Sequence, residues 1–304
     1  MRLICAALIL MLLLTTTAQS QQSAKYWFSE GNILYNKNKY NEAIKAYDQA
    51  IKLDPNNINS WFNKGRTLYD QGKYVEAVAA YDQVIRLNPN DADVWTNKGN
   101  AFSSQGKYNE AIEAYNEAIR LDSNDADPWI NKGIVLDNME NYDEAVRAYD
   151  NAIELDPQNS HAWNSKGISL DNRGKYGEAI QAYEEAIRLD PTFVEAWNNK
   201  GIALNNQGNF DEAVKAFDEA IEINPQFKNA WYSKGIVLAN LKKYQEAFLC
   251  FDNATKIDSM YVAAWRDKGL ALDKLGRVNE SKVALDKANE LGFAGLNPAN
   301  KVMD

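Results

Sequence analysis

An all-α solenoid of eight helix-turn-helix repeats is the fold that the sequence predicts, on three observations. The eight Trp residues stand at 27, 61, 95, 129, 163, 197, 231 and 265, always 34 residues apart. Each is followed by Gly four positions on and by Leu, or once Phe102, three positions after that, offsets that share one helical face. Turn signals keep the same period: Gly-Lys at 72, 106 and 174 in mid-repeat, and Pro55, Pro89, Pro157, Pro191 and Pro225 near its end. A length of 304 residues would otherwise suggest about two domains, but this periodicity replaces one mixed core by a stack of small ones.

The chain opens with Arg2 and an apolar run from Leu3 to Leu14, then threonines and Ala18-Gln19-Ser20. This is the layout of a cleaved secretory signal at 1–20, with a mature start near Gln21 and a destination outside the cytoplasm, secreted or at the cell surface. The run is short for a helix that must cross roughly 30 Å of hydrocarbon, although the threonines bring it closer, so the alternative to cleavage is a retained anchor; no second run follows, and no membrane span is expected after cleavage. Export would allow disulfides, yet Cys250 then has no partner, and packing alone must hold the fold.

Aligned on Trp, the repeats are 24–57, 58–91, 92–125, 126–159, 160–193, 194–227, 228–261 and 262–295, with a tail at 296–304. Counted within a repeat, Trp is position 4 and Gly position 8 on the first helix. On the second helix, position 17 is Tyr or Phe from Tyr40 to Tyr244 and position 20 is Ala from Ala43 to Ala247. Position 24 is Tyr or Phe from Tyr47 to Phe251, and position 27 is Ala or Val84. Small residues let helix backbones approach while the aromatic rings fill the space between, and one pair cannot bury its own Trp. Stacking is therefore the source of stability.

These residues resemble the tetratricopeptide repeat family over all eight repeats. Trp-Asn-Asn-Lys-Gly at 197–201 is also similar to exported repeat proteins of methanogenic archaea. The resemblance implies a right-handed superhelix with positions 2, 6, 9 and 13 of the first helix lining its concave groove. Position 7 departs regularly, being Lys in seven repeats from Lys64 to Lys268, with stems expected to lie along the helix interface. Repeat 8 departs further, with Val278, Ser281 and Leu285 at positions 17, 20 and 24, and Phe293 where Pro would stand. No full polar capping helix follows, which leaves the last helix as a surface for self-association.

Position 6 supplies Asn63, Asn97, Asn131 and Asn199 to the expected groove, and position 13 supplies Asn138, Asn172, Asn206 and Asn240. A carboxamide both donates and accepts, so such rows suit the backbone of an extended peptide. At position 9, Ile134, Ile168, Ile202 and Ile236 would add an aliphatic channel, or else pack against the neighbouring first helix. In repeats 1 and 2, Phe28, Tyr35, Phe62, Arg66 and Tyr69 form an aromatic patch with polar handles, suited to a peptide or a sugar ring, or to shielding the first repeat. A subset of the family clamps a terminal carboxylate with basic groups, but here Phe28, Asp93 and Asn97 occupy their positions.

An acidic chain, of net charge −9 and without a basic run, lacks the footprint for nucleic acid. One His and one Cys beyond the leader leave no constellation for zinc, haem or covalent catalysis, so neither an enzyme nor a cofactor is expected. Asp122-Ser123-Asn124-Asp125 has the composition of a calcium loop without its Gly and Glu, and reads as an inter-repeat turn. Asn253 and Asn279 begin glycosylation sequons. The function expected is an exported scaffold taking a protein or peptide ligand in the concave groove; the alternative is a surface glycan-binding protein using the aromatic patch.

Overall fold

The structure, a computed structural model, describes residues 23–292; the expected leader at 1–20, Phe293 and the tail at 296–304 lie outside them. The chain forms two compact units, Met1–Leu155 and Asp156–Asp304. The first holds α1 (Ala24–Asn36), α2 (Tyr40–Leu53), α3 (Ile58–Asp70), α4 (Tyr74–Leu87), α5 (Ala92–Ser104), α6 (Tyr108–Leu121), α7 (Asp127–Asn138) and α8 (Tyr142–Leu155). The second holds α9 (Ser160–Asn172), α10 (Tyr176–Leu189), α11 (Val194–Gln207), α12 (Phe210–Ile223), α13 (Lys228–Asn240), α14 (Tyr244–Ile257), α15 (Val262–Lys274) and α16 (Val278–Glu290). There is no strand among the described residues.

Each pair is punctuated by local chemistry. Ser23, Asn57, Asp91 and Asn159 cap their helices, each side chain accepting from the backbone N–H three residues on. Position 15 closes every first helix in the left-handed region, as Gly72 and Gly106 do and as Asn38, Glu140 and Lys242 do without the freedom of Gly. Each second helix in the first seven repeats ends before Asp or Asn; the side chains of Asp54, Asp122, Asp190 and Asp258 each accept from the N–H two residues on. The stretch that resembles a calcium loop is one of these turns.

The pairs are locked by ring against glycine. Tyr47, Tyr81, Tyr115, Tyr149 and Tyr183 are fully buried with Phe217 and Phe251, each under the Gly of its own first helix. A Cβ added to Gly31 would stand 2.4 Å from the Tyr47 ring, so no other residue permits that approach. Between repeats, position 21 of the second helix reaches the next core: Ile44 packs on the cluster around Leu68, and Ile180 on that around Leu204. The Trp indoles hold the inter-repeat turns, Trp61 donating to the carbonyl of Pro55 at 3.0 Å and Trp197 to that of Pro191 at 3.1 Å.

Within each unit, consecutive first helices touch, α1 with α3, α3 with α5 and α5 with α7 in one, and α9 with α11, α11 with α13 and α13 with α15 in the other. Consecutive second helices do not touch among the described residues. The first helices are therefore the crowded, inner side of each unit's curvature, and the second helices the splayed outer side.

Candidate functional site

The inner faces carry most of the polar and aliphatic residues singled out by the sequence, but many of their amides are already spent inside the protein. In the first unit, Asn63 Nδ2 donates to Asn32 Oδ1 at 2.8 Å, and that oxygen also accepts from Tyr47 Oη at 2.8 Å. Asn97 Nδ2 turns back to the carbonyl of Asp93, one turn earlier on its own helix. In the second unit, Asn199 Nδ2 donates to Asn164 Oδ1 at 3.1 Å and Asn206 Nδ2 to Asp171 Oδ1 at 3.4 Å. Several amides of the two rows are thus engaged within the protein: adjacent first helices present these groups to each other, and a buried or half-buried amide bonds to the nearest acceptor. Asn138, Asn172 and Asn240 are exposed and Asn131 half-buried, without a side-chain hydrogen bond among the described residues.

Most side-chain bonds between adjacent first helices follow a rule, with Asn63 to Asn32 outside it. Position 5 or 12 of one first helix meets position 6 or 13 of the next, a separation of 35 residues: Tyr35 with Asp70 at 2.6 Å, Tyr69 with Ser104 at 3.2 Å, Tyr232 with Asp267 at 2.8 Å, and the two pairs of α9 and α11. Asn198 and Asn205, the equivalent donors and acceptors of α11 toward α13, keep buried carboxamide oxygens without a hydrogen-bond partner. Positions 5 and 12 lie seven residues apart on one face, and their polar character in repeats 5 and 6 was the signal that could have identified Asn164 and Asp171 as groove residues.

The aromatic patch is also drawn inward. Phe28 packs on Tyr47 with ring centroids 6.2 Å apart and Phe62 on Tyr81 at 6.1 Å. The Tyr35 face is covered by the Arg66 guanidinium at 4.5 Å, while its hydroxyl is held by Asp70, the main cause of its raised pKa. Tyr69 leans on Tyr74. The four rings are each half-buried, packed in the seams between helices, with Arg66 exposed beside them. The aliphatic row, by contrast, meets solvent: Ile134 is 43% exposed in the first unit, and Ile168 37% and Leu270 41% in the second, with Ile202 and Ile236 half-buried between them.

The outer side carries clefts instead, one of about 480 Å³ between Trp163, Lys166, Leu170 and Glu178. The position 7 lysines account for much of this surface. Lys64 lies over Trp61 and bonds Asp48 of the preceding repeat at 2.6 Å; Lys98 does the same with Trp95 and Asp82, and Lys200 with Trp197 and Glu184. The acids are engaged by protein cations, which makes these clefts seams between repeats. No group of His, Cys, Asp and Glu that could hold a metal occurs among the described residues. No described helix is long and apolar enough to cross a membrane. Cys250 is buried, and burial pushes its thiol up to about 11.

Comparison with known proteins agrees with this architecture. The family described as tetratricopeptide repeat matches residues 62–126, 130–192, 166–226 and 198–259, and that described as TPR repeat matches 31–69. Among curated proteins none matches. The crystal structure of MamA protein is similar with a TM-score of 0.52 at 26% identity, covering 57% of this chain and 94% of that one. That of YrrB, described as a TPR protein with an unusual peptide-binding site, has a TM-score of 0.51 at 27% identity, covering 62% of this chain and 96% of that one. A tetratricopeptide repeat protein from Parabacteroides merdae has a TM-score of 0.63 over 84% of this chain and 99% of that one; at 17% identity it shows the fold alone.

Proposed function

Since the chain belongs to the tetratricopeptide repeat family, we propose that it is a protein-interaction scaffold, without catalysis of its own, that takes an extended peptide or partner segment on the inner helix faces of its units. One observation carries this reading: on the crowded inner side of the second unit, exposed amides at Asn172 and Asn240 flank an aliphatic row that the fold leaves uncovered. The peptide-binding site described for YrrB supports it.

A peptide array probed with residues 21–304 tests the reading against a variant carrying Asn172→Ala, Asn240→Ala, Ile168→Ser and Leu270→Ser. Peptides that bind the parent and lose the variant, with helicity unchanged, support the inner face; equal binding to both would move the site elsewhere. The proposal also places the scaffold outside the cytoplasm, as residues 1–20 led us to expect. Chain recovered outside cells, with an N-terminus near Gln21, is then expected; finding the chain only inside cells would count against export, and an intact Met1 against cleavage.

A further inference from the structure

We propose that the inner face of the second unit selects an extended segment that sets a basic side chain, Lys or Arg, against Asp171 beside an aliphatic side chain on Ile168 and Ile202. This rests on the reading of the inner faces as peptide sites and adds the chemistry of the ligand.

Asp171 follows Ile168 by one turn on α9, and its bonded partner Asn206 follows Ile202 by one turn on α11. The four side chains therefore form one group across the seam, with Ile168 open to solvent. Asp171 is half-buried, and no Lys or Arg forms an ion pair with it among the described residues, Arg173 two positions on included. Three other shielded acids of the unit do have cations: Asp252 is held by Lys256 and Lys268, Asp258 by Lys228 and Asp267 by Arg266, while Asp156 and Asp190 accept from turn N–H groups.

A half-buried carboxylate without a cation has given up part of its hydration and received one long amide bond in return. Desolvation accordingly raises the Asp171 carboxyl above the usual carboxylate range, with Asn206 opposing, and the same charge helps raise the Tyr183 hydroxyl. An ammonium or guanidinium from a ligand would supply the missing partner. Its neighbour in the segment would cover the Ile168 and Ile202 methyls, and exposed Glu195 on α11 adds a second acid to the same face.

The test uses the full chain and three labelled Leu/Ser octapeptides that differ at one central position, Lys, Gln or Glu, followed by fluorescence anisotropy. The Lys peptide should bind at least about fivefold tighter than the Gln peptide, and the Glu peptide weakest. Asp171→Asn keeps the oxygen that accepts from Asn206 and removes only the charge. It should bring the Lys peptide to the level of the Gln peptide, whereas Glu222→Gln, which removes a charge from exposed α12, should change neither. Asp171→Ser, checked for helicity, repeats the test without the carboxamide. Equal binding of all three peptides overturns the cation preference and leaves the groove reading standing; no binding by any overturns both. An equal loss with Glu222→Gln overturns the proposal in favour of net charge alone.

Discussion

At Gly99 one absent methyl group decides whether a repeat closes. A Cβ there would lie 2.5 Å from the Tyr115 ring, and that ring is tethered by its hydroxyl to Asn100 at 2.8 Å, so it cannot yield without losing the bond. Gly99→Ala should destabilise the first unit by about 1–3 kcal/mol in urea unfolding; an unchanged midpoint would mean that the ring swings aside freely. Asp171 works in the other direction. Because its folded pKa lies above its unfolded one, its charged form weighs on the fold at neutral pH, and that cost fades as pH falls through the raised pKa. Asp171→Asn should therefore melt higher than the parent at neutral pH, with the difference shrinking on acidification toward the ordinary carboxylate range. A residue that weakens the free protein and has no cation of its own is the kind of cost a binding site imposes.

At the scale of the helix and its turn, the position 7 lysine is a clamp rather than a soluble ornament. Lys98 is 16% exposed, lies 4.9 Å from the Trp95 ring centroid and bonds Asp82, so it ties α5 to α4 through charge and stem together. Lys98→Met keeps the stem and loses the rest, an expected cost of about 1 kcal/mol that high salt should reduce. The turns hold the opposite kind of defect. Lys242 takes φ of 60° where most repeats place Gly, a conformation that crowds its Cβ. Lys242→Gly should stabilise the second unit by about 0.5–1 kcal/mol by thermal melting, the relieved strain exceeding the added chain entropy.

At the scale of the molecule, the last helix breaks the pattern that the preceding second helices share. Position 21 is aliphatic or Phe from Ile44 to Phe248, where Ile44, Ile112, Ile180 and Val214 pack on the next core, and it becomes exposed Lys282 in α16. Asp286 and exposed Asn289 continue that face, so it forms a largely polar cap among the described residues, with Val278 and Val283 exposed beside it. Restoring the pattern with Lys282→Ile and Asn289→Ile should produce concentration-dependent association in sedimentation velocity. Association of the parent through this face would contradict the cap. The change at position 21 was readable in the sequence, but only once it was known that this position faces the following repeat.

Repeat, helix pairing and turn chemistry were determined by the sequence alone, because each rests on contacts within about one period: Trp, Gly and the ring at position 24 answer one another inside a single hairpin. Which amides are free was decided only by the tertiary structure. Asn199 and Asn206 carry the same side chain as Asn131 and Asn138, yet the former pair bond across the seam and the latter do not. The difference lies in the residues at positions 5 and 12 of the preceding repeat, 35 positions away. A hydrogen bond between side chains depends on the distance and angle at which two helices meet, and a row of matching letters in the chain does not contain that geometry.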